Sequence, residues 1–267
     1  MTTPALEIFA RPDALGEALA GRILAAAAEA GAAGRPFLLG CPGGRSPRPV
    51  YQAMAAALAA APRDLGHVVI VMMDDYLAER DGRLDHVDAD AHYSCRRFGR
   101  EEILAVLNAG LPEPWRIPAA NLWVPDPADP AAYDRRIAAA GGIDLFILAS
   151  GASDGHVAFN PAGTPADTRT RIVPLAEATR RDNMQTFPDF ASLAEVPAHG
   201  ISVGVGTIAE QSRAAAMVLW GEGKRLAFQR IAAADGYDPQ WPASVVNLCR
   251  NATIFADAAA AGRTGPR

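Results

Sequence analysis

The chain has 267 residues, half of them hydrophobic, enough apolar material for a sizeable core in one α/β domain spanning residues 1–267. A formal charge of −5 and a pI near 5.6, with basic residues scattered, argue against nucleic acid or a membrane surface as partner. Cys41, Cys95 and Cys249 are odd in number, far apart and without metal-ligand spacing, and MTTPALEIFARPDAL has no basic segment leading an apolar one. Reduced packing thiols in a soluble, cytoplasmic protein are expected.

Leu6 to Phe9 reads as a first strand, and Asp13 as the cap of a helix running through Leu15, Leu19, Ile23 and Leu24 to Gly31 and Gly34. Pro36 to Gly40 is the next strand. Beyond it Gly43, Gly44, Arg45 and Ser46 lead into a helix beginning near Pro49. A glycine turn at a helix start presents free N–H groups suited to a phosphate, and Arg45 and Ser46 add donors; a plain tight turn is the alternative. His67 to Met73 forms the third strand and ends in Asp74, Asp75 and Tyr76. Two adjacent carboxylates in a shielded cleft cannot both ionise cheaply, which makes Asp74 a candidate general base unless one acid caps the turn and the other faces water.

Glu79 to Asp90 reads as an acidic loop, and His86 and His92 lack the compact spacing of metal ligands, so no metal is expected. A helix follows over Cys95 to Leu107, then a proline-rich connector with a short strand at Leu122 to Val124, then a helix over Ala131 to Ala140. Ile143 to Leu148 is a continuous apolar run, the mark of a strand covered on both faces. It opens into a polar loop carrying Asp154, Gly155 and His156, where an acid and an imidazole stand two residues apart. A capping acid and a surface histidine are the alternative. Arg169, Arg171, Arg180 and Arg181 form a basic cluster read first as a solvated face. Ile201 to Val205 and Ala215 to Leu219 complete the set before a helix-to-strand passage over Val245 to Ala256, and Lys224 lies just past the second of them. The GRTGPR tail is expected to fray.

Strands alternating with helices predict a doubly wound, mainly parallel sheet of about seven strands with helices on both faces, a modified Rossmann-like fold. The candidate groups all follow strands, where open α/β sheets bind ligands.

The segments MMDDYL, DGHVAFN, TRTRI, SVGVGTI, GEGKR and WPAS, in that order, resemble the glucosamine-6-phosphate deaminase/isomerase family, across most of residues 36–257. Its relatives, the 6-phosphogluconolactonases, share the glycine turn, the DGH loop and the GEGK segment. The resemblance implies cofactor-free isomerisation and deamination of a hexose phosphate. In that scheme Asp154 and His156 assist ring opening and Asp74 moves the C2 proton. Gly43, Gly44, Arg45, Ser46, Asp75, Tyr76, Arg171 and Lys224 form the substrate and phosphate contacts. A homo-oligomer is left open.

The chain departs from the family pattern at Pro161, where the deaminases carry a glutamate, and at Gln185, where a phosphate-binding arginine is expected. Arg45 stands in place of a glycine, and Ser150 and Ala152 replace two more. Of the allosteric residues Arg171 matches, but Thr164, Pro165 and Val173 do not, so no strong activation by an N-acetylated sugar phosphate is expected. A lactone hydrolase without a C2 base and a non-catalytic sugar-phosphate sensor stand as alternatives.

Overall fold

The computed structural model describes residues 3–263. β1 (Ala5–Phe9) leads into α1 (Pro12–Ala32), which buries the stripe Leu15, Leu19, Ile23, Ala27 and Ala30. Asp13 does not cap this helix. Arg11 occupies the cap and Pro12 the first helical position, leaving Asp13 within the first turn, where its charge meets the positive end of the dipole.

β2 (Phe37–Cys41) and β3 (Val68–Met72) are buried at every position, as strands covered on both faces must be, and α2 (Arg48–Ala60) connects them. The segment read as a loop is instead a hairpin of β4 (Asp74–Arg80) and β5 (Arg83–His86). Asp81 and Gly82 form its two-residue turn with φ of 52° and 75°, and Arg80 pairs with Arg83 across it. An Asp-Gly step between strands is the sequence signal for such a turn.

α3 (Cys95–Phe98) and α4 (Ala105–Asn108) are the ends of one helical stretch, joined through a π-type segment at Gly99–Leu104, with Ser94 capping the start. The proline-rich connector forms two 3₁₀ turns and the short β6 (Leu122–Trp123). Then come α5 (Pro130–Ala139), β7 (Leu145–Leu148), β8 (Arg171–Pro174), α6 (Glu177–Thr186), β9 (His199–Ser202), α7 (Val205–Gln211), β10 (Ala215–Leu219), α8 (Arg225–Ala233) and β11 (Ala252–Asp257). Residues 264–267 of the expected frayed tail lie outside the described residues.

Seven strands form a parallel sheet in the order β1-β11-β10-β7-β2-β3-β6. Alternation along each strand feeds two cores. Phe37, Leu39 and Cys41 of β2 join α1 and α2 on one face, while Leu38 joins α5, α7 and α8 on the other. The fold is therefore α/β and doubly wound, as expected. The strand read at Ile201 to Val205 does not join this sheet: β9 lies in a second, antiparallel sheet ordered β5-β4-β9-β8. No helix among the described residues is long and apolar enough to cross a membrane.

The chain winds outward from β2 through β3 to β6, then returns to place β7 on the other side of β2. That reversal opens a crevice at the strands' carboxyl ends. Gly40 lets the two strands close at this point, because a Cβ there would lie 2.2 Å from Cδ2 of Phe146. Gly40→Ala is expected to destabilise the fold by about 1–3 kcal/mol through overpacking, measured by urea unfolding.

Candidate active site

Four contiguous central strands, β10, β7, β2 and β3, deliver their following loops to one cavity of about 350 Å³. Gly43, Gly44, Arg45 and Ser46 reach it after β2, Asp74 after β3, His156 after β7 and Lys224 after β10. Tyr76 joins them from β4, packed edge-on against Tyr93 and tilted against Phe159.

Asp74 stands where the chain leaves one sheet for the other. Met73 donates its N–H to Cys41 of β2 at 3.2 Å and accepts from Val203 at 2.8 Å, so the backbone is clamped between the sheets. The next residue is the first of β4. Successive strand residues point to opposite faces, which separates the two acids. Asp74 faces the cavity. Asp75 is fully buried on the other side, accepting from the backbone of Tyr76 at 3.0 Å and Cys95 at 2.9 Å, with His86 Nδ1 at 2.8 Å and Arg96 Nε at 3.1 Å. The expected role of Asp75 as a substrate contact is therefore overturned: it staples β5 and α3 to β4. Burial is the main reason the Asp74 carboxyl is pushed up to about 7, and Asp75 adds a smaller push in the same direction.

The Asp-Gly-His loop is held by its own chemistry. Gly155 takes φ of 65°, and a Cβ there would strike the ring of Trp241 at 2.2 Å, so the loop needs a glycine at this turn. Asp154 Oδ1 lies 2.7 Å from His156 Nδ1, and Oδ2 accepts from Thr179 Oγ1 at 2.9 Å. Burial works against ionising Asp154, but the hydrogen bonds from His156 and Thr179 and the imidazole's charge outweigh it and hold the carboxyl down at about 2. An ionised acid accepts only, so Nδ1 carries the proton and Nε2 is the ring's free nitrogen.

Lys224 sits in a 3₁₀ turn after β10 and donates to the carbonyl of Ser150 at 2.5 Å. Burial lowers its pKa from the usual lysine value; Asp182 opposes that and Arg45 reinforces it. An entering dianion would stabilise the charged form.

Arg171 lies away from the cavity. It donates to Asn160 Oδ1 at 2.9 Å, and Asn160 in turn binds the Val157 and Val203 carbonyls, so this arginine braces the loop instead of meeting substrate. Arg169 and Arg181 pair with Glu210 and Glu177, and Arg180 binds the carbonyls of Leu193 and Val196. His86 and His92 face different partners, Asp75 and the aromatic rings of Tyr93 and Phe190.

Several cavity residues escaped the sequence reading. Asp182, Asn183 and Thr186 line the cavity from α6, and Thr179, which binds Asp154, falls on the same face at helical spacing; that polar stripe was the available signal. Asp182 offers one oxygen within 4.8 Å of ligand atoms of both Asp154 and His156, bringing a further acid to the imidazole although Pro161 supplies none. Cys95, read as packing, donates its thiol to Asp74 Oδ1 at 3.3 Å. Trp220 also lines the cavity and donates to the Ser46 carbonyl at 2.8 Å, and Gln185, which the sequence marks as standing in place of an arginine, lines it too.

The model of the glucosamine-6-phosphate isomerases/6-phosphogluconolactonase family matches residues 10–255. The chain belongs to this family. A glucosamine-6-phosphate isomerase of Candida albicans is 33% identical over 258 residues, covering 96% of each chain. A glucosamine-6-phosphate deaminase of Streptomyces avermitilis is 35% identical, covering 97% of this chain and 92% of that protein. The solved structure of a monomeric glucosamine-6-phosphate deaminase superposes with a TM-score of 0.82 at 21% identity, covering 97% of this chain and 99% of the other. Family membership accounts for the doubly wound sheet.

The pKa of Asp74 ties stability to pH. A carboxyl raised in the folded state keeps a proton that the unfolded chain releases. Its contribution to stability is thus present in full below pH 3.8 and is lost as pH rises toward 7. Asp74→Asn is expected to unfold at higher temperature than the parent near pH 7.5 and at the same temperature near pH 4, each pKa unit being worth about 1.4 kcal/mol; calorimetry across that range measures the difference.

Proposed function

We propose that this chain converts glucosamine 6-phosphate and water into fructose 6-phosphate and ammonia. One observation carries the reading: a carboxyl that titrates near neutrality shares a cavity with an imidazole whose free nitrogen is fixed by an ionised acid. Such a pair suits proton transfers on a carbon acid beside a carbonyl.

The backbone N–H groups of Gly43 and Gly44, the Ser46 hydroxyl, Arg45 and Lys224 hold the phosphate. Nε2 of His156 relays a proton from the C1 hydroxyl to the ring oxygen, which breaks the C1–O5 bond and opens the sugar. Asp74 then takes the C2 proton while the electron pair moves into the C1 carbonyl and O1 takes a proton from the substrate's ammonium group, leaving an enolamine. The same carboxyl returns the proton to C1, and the C2 imine that results adds water. Collapse of that adduct breaks the C–N bond, releases ammonia and leaves the ketose. Each step is a proton transfer or a hydration that these side chains and water supply.

Asp182 supports the scheme from α6, as a charge placed beside both His156 and Lys224. A cytoplasmic setting accords with three buried free thiols and with a soluble metabolite as substrate.

Incubation of the pure protein with glucosamine 6-phosphate is expected to release ammonia, with kcat falling on the order of 10²–10⁴-fold in Asp74→Asn. Ammonia release no greater than in that variant overturns the assignment. Hydrolysis of a phosphogluconolactone that survives loss of Asp74 but not of His156 would favour the lactonase branch instead. Lys224→Ala is expected to raise KM at least tenfold while leaving the acid limb of the pH profile in place, measured by the same assay.

A further inference from the structure

We propose that Cys95 is the positioning residue for the base: its S–H locks Oδ1 of Asp74 and leaves Oδ2 as the atom that takes the substrate proton. The inference rests on the reading of Asp74 as that base. The thiol donates to Oδ1 at 3.3 Å, and Oδ2 accepts no hydrogen bond from any described residue. Cys95 also lines the cavity, so its side chain borders the space a sugar would fill.

The thiol is placed by contacts that do not involve a ligand. Its own backbone N–H is bound to Asp75 Oδ1 at 2.9 Å, and Ser94 caps the helix that begins at this residue. One short segment therefore reads both acids, its backbone on Asp75 and its sulfur on Asp74. Burial first, and then the charges of Asp74 and Asp75, push the thiol well above its ordinary pKa, so it remains an S–H donor at neutral pH.

The chemistry explains why sulfur serves here. Among the groups that face Asp74, burial and Asp75 from β4 favour the protonated acid, whereas Cys95 from α3 and His156 from the loop after β7 favour the carboxylate. Tyr76 from β4 and Tyr133 from α5 stand nearby with phenols that stay protonated. A hydroxyl in place of the thiol would bind the carboxylate more strongly and make it a weaker base. With no donor at all, the acid would keep its proton to higher pH. A thiol is a weak donor and sits between the two.

Cys95→Ala and Cys95→Ser bracket this role with opposite signs. Two readouts are needed: the acid-limb midpoint of kcat/KM against pH with glucosamine 6-phosphate, and the midpoint of the Asp74 carboxyl in ¹³C NMR of the resting protein, assigned with Asp74→Asn. The alanine variant is expected to move both midpoints up by roughly half to one pH unit, and the serine variant to move them down. Midpoints that stay put, or that move the same way in both variants, overturn the inference even where turnover is normal. Opposed NMR shifts without any ammonia release would uphold the Cys95–Asp74 coupling and count against the deaminase reading alone. Thermal unfolding checks that each variant is folded, and if the alanine variant is not, the downward shift in Cys95→Ser decides.

Discussion

A carboxyl withheld from water at the seam between two sheets is the constraint on which the rest of this structure depends. Met73 is hydrogen-bonded to both sheets, so Asp74 must enter the crevice and Asp75 must leave it. Burial of the first acid is tolerable because it can keep a proton until near neutral pH. Burial of the second is tolerable because four donors surround it, two of them backbone and two of them side chains that can carry positive charge. The same two-residue alternation thus yields one acid that can exchange protons and one that serves as a structural anchor.

The second contrast is between Asp74 and Asp154. Both are carboxylic acids at the carboxyl ends of parallel strands, yet their pKa values are driven to about 7 and about 2. Asp74 meets a weak sulfur donor, whereas Asp154 meets an imidazole N–H and a threonine hydroxyl. Divergence of this kind separates a group that transfers protons from one that orients its neighbour. The cations Lys224 and Arg45 border the same cavity, so charge for an anion and basicity for a carbon acid are supplied by different loops of one crevice.

Much of this was legible in the residues. Continuous apolar runs such as VVIVM and LFIL mark parallel strands because both faces are covered, and the groups that follow them fall at the strands' carboxyl ends, where an open α/β sheet binds ligands. The antiparallel sheet was not foreseen. Its strands are short, β5 carries charged residues whose pattern imitates a loop and β8 ends on a proline, although Asp81-Gly82 was a readable hairpin turn. Arg171 matched a family motif in type and position, but motif identity does not say whether a side chain reaches the ligand or braces the loop that does.

By itself the sequence determined the α/β class, the four strand-end loops, and the acids and imidazole available there, because these follow from local periodicity and residue chemistry. Only the tertiary structure decided which of two adjacent acids faces the cavity, that a cysteine distant from the strand end donates to it, and that Asp182 of α6 joins His156. Those outcomes depend on how β4 pairs with β9 and how two helices pack across the crevice, and long-range pairing of that kind leaves no mark in the spacing of neighbouring residues.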